Sequence, residues 1–428
     1  MVSLILFGLL ALFLILNVPV GIAIGISSLG ALVYSGSASL LSIPQSLANS
    51  VDSFPLLAIP LFIFAGDLMS VGGLSSRILN VCNVFFGRIT GGLAIVTVAV
   101  CMFFAAVSGS ATATVAAIGT MVVPTMLKLG YSKSFVLALV TAAGSLGVII
   151  PPSIPMVIFG VATGTSVTSM FMGGFFPGIL IGAGLIAYCY FHCKRHNIKG
   201  TSEPFTRKAA FEALWDAKWA LINPIIILGG IYCGVFTPTE AAAVAVGYAF
   251  ICGVFFHKEM TFKSFVGALK SSVSTTGTAM IIIGFATSFS KVLTLEQIPT
   301  MVASGLLAFS TNKYVILLLI CGLLILVGCF MDATPAILIL APILLPVTQA
   351  IGVNAIHFGL IFIVNVAIGY TTPPLGTNLF VASRIANEPV EVILKGMMPF
   401  YVVMIGCMLM ITFIPDIVMF LPTLLSGH

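Results

Sequence analysis

Apolar runs recur from residue 3 to residue 424, separated by short polar or Gly/Pro punctuation instead of stretches of charge. Many of them reach the roughly 20 residues that a helix needs to cross hydrocarbon. In lipid only helices and closed barrels satisfy the backbone polar groups, and the alternating ten-residue segments of a barrel are absent. The pattern therefore predicts an all-α polytopic membrane protein. Its first run has no basic residue ahead of it and stays hydrophobic to Tyr34, which suits a membrane segment better than a cleaved leader.

Composition sharpens this by exclusion. Of 428 residues, 60% are hydrophobic and 7% charged, with a mean hydropathy of +1.22, so no water-facing shell can be drawn from the chain. Its nine cysteines are scattered through apolar stretches and read as small buried hydrophobes. Cys189, His192, Cys193 and His196 share a helical face beside Lys194 and Arg195, but zinc binding there is a weak reading beside packing at a membrane exit.

The longest polar stretch, from His192 to Lys218, carries Lys194, Arg195, Lys199, Arg207, Lys208 and Lys218 against Glu203, Glu212 and Asp216. By the positive-inside bias this connection is cytoplasmic. Its second half sets Phe211, Leu214, Trp215 and Trp219 at helical spacings, which predicts an interfacial helix along the membrane. Apolar segments at about 221 to 236 and 241 to 257 then return the chain to Lys258, Lys263 and Lys270. Between them Thr237, Pro238, Thr239 and Glu240 spell a capping box with proline at the first helical position, so Glu240 is expected to be a structural cap before a transport carboxylate.

A repeat organises the rest. Pro151 and Pro152 recur as Pro373 and Pro374, and 373 minus 151 is an offset of 222 residues. At that offset Thr112 matches Thr334, Pro124 matches Pro346, Gly130 matches Gly352, Gly147 matches Gly369 and Pro177 matches Pro399, with no gap. In each copy an apolar run meets a small or polar break, at Ser108 to Thr114 and at Phe330 to Pro335, and a second run ends near Gly130 or Gly352. These short runs suit re-entrant hairpins whose tips lie inside the membrane, where exposed backbone is tolerated only beside a protein site or a water-filled cavity. Basic residues fall at Arg88, Lys128 and Lys133 in copy one but at Arg384 and Lys395, after the double proline, in copy two. The copies are thus predicted to be inverted, although Lys291 and Lys313 would then lie outside.

Inverted repeats with broken helices are how secondary transporters build a site near mid-membrane, with helix N-termini favouring an anion and unwound carbonyls holding a cation. The breaks are rich in hard oxygen donors: Ser108, Ser110, Thr112 and Thr114 at one tip, Asp332 and Thr334 at the other, Ser145 and Ser153 around the first proline pair, and Thr371, Thr372, Thr377 and Asn378 around the second. Each proline pair removes two amide donors and leaves upstream carbonyls free. An ionisable group at an embedded tip needs a cation, a partner or water, so Asp332 is placed in or beside an ion or substrate site, with helix capping as its other reading. Asp67, inside a long apolar run that ends in Gly72 and Gly73, reads either as a second embedded carboxyl or as a residue at an interface. Any single hydroxyl could instead bond its own backbone.

At these residues the chain resembles the large membrane subunit of a tripartite ATP-independent periplasmic (TRAP) transporter. The matching stretches are NVPVGIAIG at 17 to 25, PLLAIPLFIFAG at 55 to 66, VSGSATATVAAIG at 107 to 119, IIPPSIPMVIFG at 149 to 160, GVFTPTEAAAVAV at 234 to 246 and GYTTPPLGTNLFV at 369 to 381. The resemblance implies an elevator-type architecture in which two hairpins, held by a scaffold, enclose substrate and sodium. It implies a first tip at Ser108, Gly109, Ser110 and Thr112 faced by Gly147, Pro151, Pro152 and Ser153. It implies a second tip from Asp332 to Pro335 faced by Gly369, Thr371, Thr372, Pro373, Pro374, Thr377 and Asn378, with two sodium sites near the tips.

The organisation this gives is scaffold helices over 1–87, a first repeat over 88–191, a cytoplasmic arm with central scaffold helices over 192–290, a connection over 291–312, an inverted repeat over 313–420 and a tail over 421–428. The implied activity is sodium symport of an organic anion such as a sialic acid, a dicarboxylate or a sugar acid, across a bacterial inner membrane. Its drive includes roughly 2.3 kcal/mol per charge for each 100 mV. Expected partners are a small four-helix membrane subunit, taken as separate because no such block precedes Met1, and a periplasmic substrate-binding protein. Sodium serves as coupling ion, no cofactor or nucleic acid is expected, and no phosphate-binding loop is present. A proton-coupled carrier of the same architecture, titrating Asp332, is the nearest alternative. A channel and a membrane enzyme fit less well, the histidines being too dispersed for a catalytic site.

Overall fold

The computed structural model describes residues 1–37, 39, 41–198, 200, 206–310 and 312–426. Lys199 and Glu203 of the basic connection lie outside the described residues. Among the described residues nine helices are long and apolar enough to cross a membrane, and hydrogen bonding inside each helix satisfies the backbone that lipid cannot.

The N-terminal part comprises α1 (Val2–Ile15), α2 (Val20–Ser35), α3 (Ser42–Val51), α4 (Ala58–Val71) and α5 (Leu74–Phe86). Two hairpin arms follow, α6 (Gly92–Ser108) and α7 (Ala111–Lys128), then α8 (Lys133–Gly144), a 3-10 turn over Ser145–Val148, α9 (Ile154–Thr163) and α10 (Val167–Arg195). The central part is α11 (Arg207–Tyr232), α12 (Pro238–Ile251), the 34-residue α13 (Phe262–Leu295) and α14 (Ile298–Phe309). The chain closes with α15 (Lys313–Phe330), α16 (Ala333–Ala350), α17 (Ala355–Gly369), α18 (Thr377–Ala386), α19 (Val390–Phe413) and α20 (Asp416–Ser426).

The repeat read from proline and glycine is a repeat of helices. At the 222-residue offset α7 and α16 begin and end together, and α8 and α17 begin together. Gly130 and Gly352 both take positive φ, +82° and +73°, just beyond the hairpins, where an L side chain would be strained. Both proline pairs hold a cis peptide bond. The copies interlock: α9 packs on α16, α7 on α18, α8 on α19 and α10 on α17. The other group is built around α13, which lies against α2, α3 and α4 and also reaches α16, while α12 covers α4 and α11 covers α5.

Two local readings meet the structure differently. Thr237 and Glu240 form the expected capping box: Thr237 N–H donates to Glu240 Oε2 at 2.8 Å and Glu240 N–H to Thr237 Oγ1 at 3.3 Å. The interfacial arm, by contrast, is no separate helix, because α11 runs unbroken from Arg207 through the arm into the first central span. No glycine or proline interrupts residues 216–222, and helix propagation is cheap once nucleated. Its exposed Phe211 and Trp215 stack, with Lys218 Nζ 3.3 Å from the Trp215 ring centroid.

Candidate functional site

The first break is a two-residue turn. Gly109 ends α6 at φ +60°, and Ser110 begins α7 as its cap, accepting the Ala113 N–H at 3.4 Å. The hydroxyls of the tip bond among themselves: Ser110 Oγ lies 3.3 Å from Thr112 Oγ1, Ser108 Oγ lies 3.2 Å from Thr114 Oγ1, and Thr114 donates to Ser110 O at 2.8 Å. Behind the tip Ile154 N–H donates to Gly109 O at 3.3 Å. A Cβ on Gly147 would sit 2.4 Å from Ser110 O, so the tip and its facing segment touch only because that residue is glycine. Pro151 and Pro152, both buried, give no N–H to the carbonyls upstream, and Ser153 donates to Val148 O at 2.7 Å while capping α9. Ser145 spends its proton on Ala142 O at 2.7 Å.

The second break repeats the scheme with different chemistry. Leu375 N–H donates to Cys329 O at 3.1 Å, tying hairpin to facing segment, and Gly369 packs on Gly328, whose Cα a Cβ would meet at 2.6 Å. Asp332 stands at the cap position of α16, yet its carboxylate makes no capping hydrogen bond and is exposed. Tyr370 Oη instead accepts the Ala333 N–H at 2.6 Å. Thr371 and Thr372 both donate to Ile368 O, at 2.7 and 2.9 Å. Pro373 and Pro374 are exposed, unlike their first-copy counterparts.

Two buried acceptors stand apart. Thr377 Oγ1 and Asn378 Oδ1 have no hydrogen-bond partner, although Asn378 Nδ2 donates to Thr141 O at 3.3 Å. A buried acceptor left unpaired costs about 1–3 kcal/mol, which a cation beside it would offset. Their oxygen-only chemistry suits a hard cation, whereas among the described residues no group of three His, Cys, Asp or Glu could hold a metal.

Both tips border one cavity. Ser110, Thr112, Asp332, Thr334 and Tyr370 line a space of about 370 Å³, lined also by Ser274, Thr275 and Thr278 of α13. A second cavity of about 590 Å³ shares Ile63, Ser110, Thr112, Ile154 and Thr275 with the first and continues along α7 to Thr120, between it and Asp67, Ser70 and Ser271. Gly109 also borders the first cavity and Ser108 the second, while Ser145, Gly147, Ser153, Gly369, Thr371, Thr372, Thr377, Asn378 and both proline pairs lie outside both. The α13 hydroxyls escape a reading based on helix breaks, since α13 is unbroken; their signal is the hydroxyl run SSVSTT at 271–276.

A family model described as the tripartite ATP-independent periplasmic transporter, DctM component, matches residues 7–417. The isethionate TRAP transporter permease protein DctMQ of Oleidesulfovibrio alaskensis is 46% identical over 416 residues, 97% of this chain and 66% of that relative, so the chain spans just under two thirds of its length. The C4-dicarboxylate TRAP transporter large permease protein DctM of Vibrio cholerae is 39% identical over 97% of this chain and 96% of its own. The sialic acid TRAP transporter large permease protein SiaM of the same organism is 35% identical over 99% and 98%. The crystal structure of the Alcanivorax borkumensis YdaH transporter shares the fold, with a TM-score of 0.63 at 16% identity, covering 87% of this chain and 88% of that one.

Proposed function

The chain belongs to the DctM family of tripartite ATP-independent periplasmic transporters, and from that membership we propose that it imports an organic anion by sodium symport across a bacterial inner membrane. The observation that carries this reading is the single cavity to which both hairpin tips and the hydroxyls of α13 contribute. The substrate sits there, against the opening amides of α7 and the surrounding hydroxyls, because aligned amides at a helix start favour negative charge. Sodium binds behind the tips, one ion at the unpaired oxygens of Thr377 and Asn378, and lowers the cost of bringing an anion to Asp332. The interlocked copies form a transport body that moves against the group around α13.

Inversion of the copies is supported by their ends. Lys133, at the base of hairpin one, pairs with Glu388 at 2.6 Å, in the loop beyond α18, while Gly173 near the start of α10 packs against Ile356 at the start of α17. The base of one hairpin therefore neighbours the far end of the other copy at both extremes.

The partners are a small four-helix membrane subunit and a periplasmic binding protein that delivers the substrate. The substrate panel begins with isethionate, named for the relative at 46% identity, followed by C4-dicarboxylates and sialic acid. The test is uptake into proteoliposomes holding the chain, its small partner and the matching binding protein. Accumulation of one panel member driven by an inward sodium gradient is expected. Accumulation that persists when choline replaces sodium, and follows a proton gradient instead, would overturn the coupling and favour the proton-coupled reading.

A further inference from the structure

Asp67 is the one ionisable side chain lining the larger cavity. It projects from α4, half-buried, and its Oδ2 lies 2.7 Å from Ser272 Oγ of α13. Ser272 is buried, and the same Oγ lies 2.9 Å from Ala268 O, one turn back on its own helix. A serine hydroxyl has one proton to donate and two lone pairs to offer. Two acceptors stand around it here, and an ionised carboxylate would compete with the carbonyl for that proton. Both contacts are made in full only when Asp67 carries a proton and donates it to Ser272 Oγ, which then donates to Ala268 O.

Apart from the Ser271 hydroxyl, which also hydrogen-bonds the carboxyl, the surroundings give an ionised Asp67 no compensating charge. No Lys, Arg or His lies within ion-pair distance of it among the described residues. Of the elements around it, α9 brings no charged group, α6 only the thiol of Cys101, and α7 only Lys128 at its far end. On α13, Lys263 and Lys270 are exposed; on α5, beside the thiol of Cys82, Arg77 is taken by Glu259 at 2.8 Å and Asp216 at 3.4 Å. On α12, Glu240 is held in its cap and Tyr248 donates to Trp219 O; Cys252, His257, Lys258 and Glu259 follow that helix. An unpaired carboxylate inside a membrane is costly.

We propose that Asp67 is a proton-binding site in the wall of the transport path, neutral while the cavity holds an anion and hydrogen-bonded through Ser272 to the backbone of α13. Proton occupancy stands on the hydrogen-bond geometry alone, whereas its consequence for transport rests on the anion-symport reading of the tip cavity. Because the larger cavity shares Ser110, Thr112 and Thr275 with the tip cavity, an anion moving between them passes Asp67. A neutral carboxyl admits it and an ionised one repels it.

Isotope-edited infrared difference spectroscopy of the membrane complex, between about pH 5 and about pH 9, reads the carboxyl directly. A protonated-carboxyl band at neutral pH is expected in the wild type, lost in Asp67→Asn and shifted in Ser272→Ala, whose hydroxyl no longer accepts from it. A band unchanged by both substitutions, or a wild type showing only carboxylate at neutral pH, would overturn the proposal. Uptake of the panel member that the chain accumulates is then followed with the internal pH varied. The wild-type initial rate should fall severalfold toward alkaline pH, Asp67→Glu should keep a pH dependence, and Asp67→Asn should lose it; an Asp67→Asn profile as steep as the wild type's would sink the role in transport. Wild-type uptake independent of sodium would count against the symport reading and leave the infrared result standing.

Discussion

Asn378 donates to Thr141 O through Nδ2 while its Oδ1, like Thr377 Oγ1 beside it, is buried without a partner. If those oxygens hold sodium, Asn378→Ala should weaken apparent sodium affinity about tenfold, on the order of 1.4 kcal/mol. Uptake titrated against sodium, with folded yield checked by size-exclusion chromatography, measures it; unchanged sodium dependence would remove Asn378 from the ion site. Gly147 gives a steric prediction. A Cβ there would lie 2.4 Å from Ser110 O and 2.6 Å from Thr114 Oγ1, so Gly147→Ala must push the tip off its facing segment. A loss of about 1–3 kcal/mol is expected, seen as a lowered melting midpoint together with reduced uptake. The sequence marks the stretch YTTPPLGTN as oxygen-rich but cannot sort its members. Thr371 and Thr372 give their protons to Ile368 O while Thr377 does not bond, and that division depends on where the helix stops and what packs behind it.

Elements were legible in proportion to how local their signals are. The cap at Thr237 and Glu240 is written in four consecutive residues and forms as read. Thr237→Ala should therefore cost about 1 kcal/mol of stability and leave the sodium dependence of uptake as it is; a change in sodium affinity would make Glu240 a transport residue after all. The arm, by contrast, shows an amphipathic spacing of Phe211, Leu214, Trp215 and Trp219 that predicts an interfacial helix, yet that spacing carries no stop signal and α11 continues through. Around its arm, α5, α11 and the connection after α12 are joined by Arg77, which pairs with Asp216 and Glu259, and beside them His257 keeps Nε2 buried and unpaired. Burial, and next the charge of Arg77, hold the His257 imidazole below its usual 6.5, against the opposing pull of Glu259 and Asp216. The folded state therefore binds fewer protons than the unfolded one, and this contribution to stability is present above 6.5 and lost as pH falls through the lowered value. Thermal melts of the solubilised protein should show a midpoint declining in that window, with a shallower decline in His257→Gln.

At the scale of the molecule the repeat was legible because prolines and glycines keep their spacing where apolar residues drift, and α7 and α16 fall on that spacing at both ends. What the spacing could not reveal is the surface opposite the tips. Ser274, Thr275 and Thr278 come from a helix with no break and reach the cavity only through packing of α13 on α4 and α16. Orientation is where sequence and structure bear on each other most directly. Charge counting predicted inversion while leaving Lys291 and Lys313 on the wrong side, and that bias is statistical. The ion pair from Lys133 to Glu388 needs no such bias, because it sets the base of one hairpin beside the far end of the other copy. If α17 and α18 together cross the membrane, the loops at Gly130 and Gly352 must open on opposite faces. Single cysteines at the exposed Ser132 and Asn354, in a background lacking the exposed Cys233, should then react with an impermeant maleimide from opposite sides of sealed vesicles. Labelling from the same side would refute inversion and with it any mechanism in which the two tips close over one site from opposite faces.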